Sequence, residues 1–419
     1  MKGEEGLNLA DLAVFTCGGK HLSSLEKNIF HSSWEGQSYS EMATNYHLNP
    51  QYIRNKGSEL WNKLSVALGE KVNKNNFKEA LKRYAPKLYR DLKEAPDVSV
   101  FYGRTYELAT LESWILQDKC RLITLLGMPG IGKTALATQI TAQVQRQFEY
   151  VIWRTLELNP PSLTELLADL IEFFSLRRGL TTFKPVISQL MDFFYSHRCL
   201  VVLDGVEKLQ GPDRQYLANY ENYGCLFKRV GEVNHQSCLL LTSREKPPQI
   251  QLLECTNHPV RSFRILGLDP DSAQKILTDQ GFPTEWKWDS IIELYGGNPL
   301  FLQLARHKLQ KHCLSSNQIL TKTNYLIFEQ IGVIIDDIFS RLSDWENQVM
   351  VKLAQAKQPL SIEQIFSTLE LPNYLIPIEL LESLYERSLL EKQELVTETL
   401  FSIQPLIVDY VKLFKLINP

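Results

Sequence analysis

Eight residues, GMPGIGKT (127–134), carry the clearest chemistry in this 419-residue chain. They fit the pattern G-x-x-x-x-G-K-[ST], between an apolar run, RLITLL, and a helix-forming run, TALATQITAQV. Glycine at 127, 130 and 132 permits a tight loop whose backbone N–H groups face inward. The helix that follows adds its positive N-terminal end, so the loop is built to cradle phosphate. The predicted nucleotide contacts are Gly127, Met128, Pro129, Gly130, Ile131, Gly132, Lys133, Thr134 and Ala135. In such loops the lysine, here Lys133, reaches the β- and γ-phosphates, and the hydroxyl, here Thr134, ligates magnesium.

A second apolar run, CLVVLDGVEKL (199–209), delivers one carboxylate, Asp204, and then a glycine. An acid at that strand end holds magnesium, usually through water. The plainer alternative is a turn cap beside Gly205. Sites that hydrolyse nucleotide often place a second acid directly after the first, to activate water, and here that slot holds Gly205. Glu207 is a candidate for the task, with a solvated surface glutamate as its alternative. The pattern predicts a chain that holds nucleotide and hydrolyses it slowly.

These residues need a scaffold. Between about 104 and 268 four short apolar runs, RLITLLG, YVIWRTL, CLVVLDG and SCLLLTS, alternate with helical stretches. Near-continuous apolar strands of this length predict a parallel sheet buried on both faces, hence an α/β domain. Residues 1–95 read as all-helical from the spacing of Leu22, Leu25, Ile29 and Phe30 and of Ile53, Leu60, Trp61, Leu64 and Leu68. EAPDVSVFYG (94–103) reads as a linker. Residues 269–330 read as helical, with Asp269 as cap and Pro270 in the first turn. Residues 331–419 read as three helices, a hairpin in LLEKQELVTETLFSI and a closing helix in PLIVDYVKLFKLI, a winged-helix shape. The predicted division is 1–95, 96–268, 269–330 and 331–419.

Composition bounds the rest. Hydrophobic content of 44% and charged content of 22% let each domain bury a core. A net charge of −3 gives no global attraction to nucleic acid or anionic lipid. Seven scattered cysteines form no ligand cluster and argue against a disulfide or zinc framework. The acidic N-terminus and the absence of an apolar run near about 18 residues predict a cytoplasmic chain with no membrane partner.

Taken together, the motifs resemble the NB-ARC branch of the STAND P-loop NTPases, over about 320 residues from VFYGRTYELATLESWI onward. The resemblance implies a P-loop NTPase core followed by a helical and a winged-helix domain, with bound ATP or ADP and Mg2+. FYGR (101–104) resembles the family's entry motif, which implies adenine contact near Gly103 and Arg104. LLLTSRE (239–245) resembles the strand whose arginine, here Arg244, senses the γ-phosphate. GGNPL (296–300) resembles the motif whose proline, here Pro299, packs on the base. One departure is FSIQPLIVDY, where Ile403, Gln404 and Pro405 stand for the usual Met-His-Asp. Gln404 can donate to a phosphate but carries no charge; its alternative is simply to begin the last helix. The implied function is a signalling switch whose nucleotide state controls domain arrangement, with a homo-oligomer in the ATP state.

The N-terminal stretch SWEGQSYSEMATNYHLNPQYIRNKGSELWNKL (33–64) resembles a helix-turn-helix. Asn49 would cap its second helix, and Gln51, Arg54 and Lys56 would face a major groove. Residues 50–93 hold eleven Lys/Arg against four Asp/Glu, an excess of seven positive charges. DNA contact, protein-adaptor binding and a solvated helical face all remain open for this module. The alternative function is a helix-turn-helix transcriptional regulator under ATP control.

Overall fold

The computed structural model describes residues 3–18, 21–84, 89–175, 186–279, 288–312, 328–356, 358–367, 369, 376–395 and 398–415. Cys313, residues 280–287 and 313–327 of the predicted helical domain and the end of the predicted closing helix (416–417) lie outside them. The chain divides into two compact units, Met1–Tyr89 and Arg90–Pro419.

In the first unit the helices begin where polar caps satisfy their free N–H groups. Ser23 and Ser38 form capping boxes with Glu26 and Glu41, starting the helices Ser24–Trp34 and Tyr39–Asn45. Asn49 accepts from the Gln51 N–H at 2.8 Å, with Pro50 in the first turn of Pro50–Leu68. Ile29, Phe30, Ile53, Leu60, Trp61 and Leu64 are buried together, as their helical spacing predicts.

The second unit opens on a six-stranded sheet. Its strands are β1 (Tyr89–Asp91), β2 (Leu122–Leu126), β3 (Tyr150–Thr155), β4 (Cys199–Asp204), β5 (Cys238–Ser243) and β6 (Val260–Arg264). They lie in the order β1-β3-β4-β5-β2-β6, and β2–β5, β2–β6, β3–β4 and β4–β5 are parallel. Every residue of β2, β4 and β5 is buried, as expected for strands covered on both faces. Because these strands are parallel, the loop after β2, Asp204 and Arg244 all emerge at one edge of the sheet.

Two strands depart from expectation. β1 falls within the stretch read as all-helical, and β6 was not foreseen. A three-residue strand has no readable period; side chains fix β1 instead. Arg90 donates to the carbonyls of Gln145, Phe148 and Glu149, and Arg154 pairs with Asp91 at 2.8 Å.

Beyond the sheet, helices Pro270–Thr278, Trp288–Leu294 and Pro299–His312 precede Phe328–Ser340 and Asp344–Gln355. Asp269 caps the first, accepting from the Ser272 N–H at 2.9 Å. The predicted hairpin is present as β8 (Glu391–Glu394) and β9 (Thr399–Ser402), and β7 (Leu360–Ser361) completes an antiparallel sheet in the order β7-β9-β8. One apolar core runs across the predicted 330/331 division, joining Trp288, Phe301 and Leu309 to Ile335, Met350, Leu384 and Tyr410. Met128 of the phosphate loop is also part of that core.

An ionic cluster fastens the C-terminal part to the sheet. Glu245, just past β5, takes Arg341 Nε and Arg387 Nη1 on one oxygen, each at 2.9 Å. Arg387 Nε lies 3.3 Å from Glu346, and its Nη2 donates to the Pro212 carbonyl. Arg387, Glu245 and Glu346 are buried, so removing one partner strands the opposite charge away from water. Arg387→Ala is therefore expected to cost about 3–5 kcal/mol in denaturant unfolding. A loss below about 1 kcal/mol would show that the cluster is solvated in solution.

Candidate nucleotide site

The carboxyl ends of β2, β4 and β5 open into a cleft of about 790 Å3. Its size suits a small-molecule ligand. The walls include Pro129, Gly130, Gly132, Lys133, Thr134 and Ala135 from the loop and helix after β2. Glu157 comes from the end of β3, Glu207 from beyond β4, and Thr242 and Arg244 from β5 and its exit. Leu300 and the trio Val333, Ile334 and Asp337 close it from the helices Pro299–His312 and Phe328–Ser340.

The loop is shaped by what presses on it. Gly130 has a φ of +75°, and a Cβ there would lie 2.6 Å from Leu300 Cβ, so only glycine fits. Asn298 donates to the Pro129 carbonyl at 2.9 Å, and the Leu300 N–H reaches the Gly130 carbonyl at 3.3 Å. The GGNPL segment therefore meets the phosphate loop through Asn298 and Leu300. Pro299, the predicted base-packing residue, begins the helix between them and is not among the residues lining the cleft.

Lys133 is buried, and its ammonium donates to the carbonyls of Gly127 (2.8 Å) and Met128 (3.0 Å). Burial pulls its pKa down to about 8, with Glu207 pulling upward and Arg244 downward. Below the loop, Thr134 Oγ1 donates to Asp204 Oδ1 at 2.8 Å, and Thr242 Oγ1 donates to the same oxygen at 2.5 Å. The Thr242 hydroxyl accepts in turn from the Gly205 N–H at 2.9 Å. Burial raises the Asp204 pKa against the lowering effect of both hydroxyls. A hard cation fits this hydroxyl–carboxylate pair, because it would neutralise a buried carboxylate that is short of positive charge. Magnesium held there by Thr134 and Asp204 would neutralise charge on phosphate oxygens.

The remaining predicted residues divide by place. Arg104 is buried, pairs with Glu107 at 2.8 Å and donates to the Ile131 carbonyl at 3.1 Å, so it braces the loop from outside the cleft. Gly103 packs against Ser272, which a Cβ would meet at 2.5 Å. Gln404 lines a separate small hollow with Met128 and Ile131 and lies against Gly296; its side chain does not cap the helix it begins. Glu207 is buried and paired with Arg244 at 3.0 Å, and Arg244 reaches Asp337 at 2.6 Å. Gln51, Arg54 and Lys56 belong to the N-terminal unit, where Lys56 pairs with Glu59 at 2.6 Å and the Gln51 amide donates to Asn55 at 3.2 Å.

Thr242, Asn298, Asp337 and Glu157 are not legible as site residues in the sequence. The first two sit inside LLLTSRE and GGNPL, close to Arg244 and Pro299. Asp337 and Glu157 have no motif of their own; only the packing of helix Phe328–Ser340 and the pairing of β3 with β4 place them at the cleft.

The depressed Lys133 pKa has a measurable consequence. A bound phosphate restores the charged form, so binding takes up a proton wherever free Lys133 is neutral, and affinity falls as pH rises above about 8. Calorimetry of ADP binding in two buffers should give an uptake by Lys133 of about 0.1 proton at pH 7 and about 0.9 at pH 9. No uptake at pH 9 would show that nucleotide binding does not change the charge on Lys133.

Comparison with known proteins agrees with this geometry. Residues 104–287 match the NB-ARC domain family, and residues 1–84 match the N-terminal helix-turn-helix of vWA-MoxR associated proteins. An uncharacterized WD repeat-containing protein of Nostoc sp. is 36% identical over 344 residues, covering 77% of this chain. The chain spans 27% of that relative's length. A Walker-type ATPase of Pyrococcus abyssi shares the fold, with a TM-score of 0.52 at 14% identity, over 74% of this chain and 96% of that one. Among the described residues no helix is long and apolar enough to cross a membrane. The phosphate loop, the acid-tipped β4 and the matched families lead to one conclusion: residues 104–287 match an NB-ARC P-loop domain, and residues 1–84 match a helix-turn-helix module.

Proposed function

We propose that the chain is a nucleotide-controlled switch in which ADP holds the P-loop core, the middle helices and the C-terminal part together, and ATP releases them for assembly. The observation that carries this reading is the position of Arg244. Its guanidinium is shared between Glu207 beside β4 and Asp337 on helix Phe328–Ser340, and all three residues line the cleft. A γ-phosphate competes with Asp337 for that guanidinium, so the triphosphate and the C-terminal contact exclude one another. The switch needs differential affinity; moving it from mostly off to mostly on takes about 5.5 kcal/mol of preference between states. Magnesium at Thr134 and Asp204, the Lys133 contact, slow hydrolysis as a reset, homo-oligomer formation with ATP and a cytoplasmic location belong to the same reading.

Freshly purified protein is expected to release ADP on denaturation. Small-angle scattering should then differ between the ADP-loaded and ATP-loaded protein, and Lys133→Ala should abolish binding of both with the fold intact. Superimposable profiles at every angle would sink the switch.

A second reading, DNA binding by the N-terminal module, is favoured by its helix-turn-helix match and by the exposed Gln51 and Arg54 on a capped second helix. It predicts salt-dependent binding to a duplex that the double change Arg54→Ala and Lys56→Ala weakens. No binding to mixed-sequence duplex at low salt would leave the module as a protein adaptor.

A further inference from the structure

The acid missing from position 205 has a counterpart on the neighbouring strand. Gly205 has a φ of +86°, and a Cβ built on it would lie 2.9 Å from Glu157 Cγ. The side chain of Glu157 thus occupies the space into which a side chain at 205 would grow. The sheet dictates this. β3 and β4 are parallel neighbours with Thr155 opposite Asp204, and the Leu156 N–H donates to the Asp204 carbonyl at 2.7 Å. One residue further on, Glu157 emerges beside Gly205 and into the cleft.

Its surroundings separate it from Glu207. The Glu157 side chain is exposed, lines the cleft with Lys133, Thr134 and Arg244, and its carboxylate makes no hydrogen bond or ion pair with the described residues. Glu207 is only 3% exposed, and both of its oxygens are engaged by Arg244: Oε1 by Nε at 3.0 Å, Oε2 by the backbone N–H at 3.2 Å. A general base needs an available lone pair and access to water. Glu207 could act only by giving up its ion pair with Arg244, which would leave its own buried carboxylate unpaired at a cost. Glu157 gives up nothing. Its charge also acts on Asp204 and Lys133, so it lies within electrostatic range of both phosphate-site groups.

We propose that Glu157 is the general base for hydrolysis of ATP in this cleft, and that Glu207 is a positioning residue for Arg244. The inference rests on the reading of the cleft as an ATP site. In the step, a water oxygen bonds to the γ-phosphorus while its proton passes to the Glu157 carboxylate. The bond from γ-phosphorus to the bridging oxygen breaks, its electron pair leaving with ADP. The products are ADP and inorganic phosphate, and the proton then passes from Glu157 to solvent.

The test is single-turnover hydrolysis of magnesium-ATP by the full chain, beside affinities for ADP and magnesium-ATP, in wild type, Glu157→Gln and Glu207→Gln. Glu157→Gln is expected to slow hydrolysis about 100-fold or more with no loss of either affinity, because it removes the proton acceptor together with a negative charge that opposes phosphate. Glu207→Gln is expected to change the preference for ATP over ADP, because Arg244 loses its anchor. Hydrolysis by Glu157→Gln at close to the wild-type rate overturns the proposal. So does a loss of magnesium-ATP affinity in that variant, which would make Glu157 a binding group. Wild type that binds ATP without cleaving it overturns this inference alone; wild type that binds no nucleotide removes the ATP reading of the cleft and the inference with it.

Discussion

The Asp204 carboxylate, tied by one oxygen to Thr134 and Thr242, is the contact on which the site is assembled. β2 and β4 are not neighbours, because β5 lies between them. Backbone pairing alone therefore does not fix the phosphate loop against the acid. The hydroxyls do so, one from the helix after β2 and one from β5, and the Gly205 N–H orients the second. The arrangement keeps a carboxylate in a place where burial works against its charge. Such a group is stable only while hydrogen bonds or a cation compensate it. The two hydroxyls meet that requirement here.

The cleft built on this pin is closed by elements distant in sequence. Leu300 and Asn298 press on the phosphate loop, while Asp337 reaches Arg244 from the C-terminal part. The core cluster that contains Met128 extends through the helices to Val411, so the loop backbone and the C-terminal packing belong to one apolar body. The buried Glu245–Arg387 pair fixes the same surfaces a short way behind. Nucleotide chemistry at the loop and packing of the C-terminal part are therefore mechanically adjacent. Small shifts in cores packed this tightly are not absorbed elastically.

The N-terminal unit shows how composition can overstate a surface. Its local excess of basic residues suggests phosphate contact, yet Lys56, Lys63 and Arg83 are paired with Glu59, Glu26 and Glu70. Lys74 and Lys78 donate to backbone carbonyls and sit over the rings of Tyr39 and Trp34. Part of the charge thus serves the module's own fold.

The phosphate loop, the acid-tipped strand, the buried strands and the caps at Asn49 and Asp269 were all legible in the sequence. Each is a local pattern: a loop geometry needs glycines at fixed offsets, a doubly covered strand needs consecutive apolar residues, and a helix start needs a polar oxygen. The strand β1 was not legible, because it is held by the side chains of Arg90 and Arg154 rather than by any period of its own. Nor was the role of Glu157, since nothing in YVIWRTL indicates which strand lies beside it. By itself, the sequence determined that a phosphate-binding loop and one acid would sit at strand ends. Tertiary structure decided which cleft carboxylate is left unpaired, because strand pairing sets Glu157 beside Gly205 while the Arg244 ion pair engages Glu207.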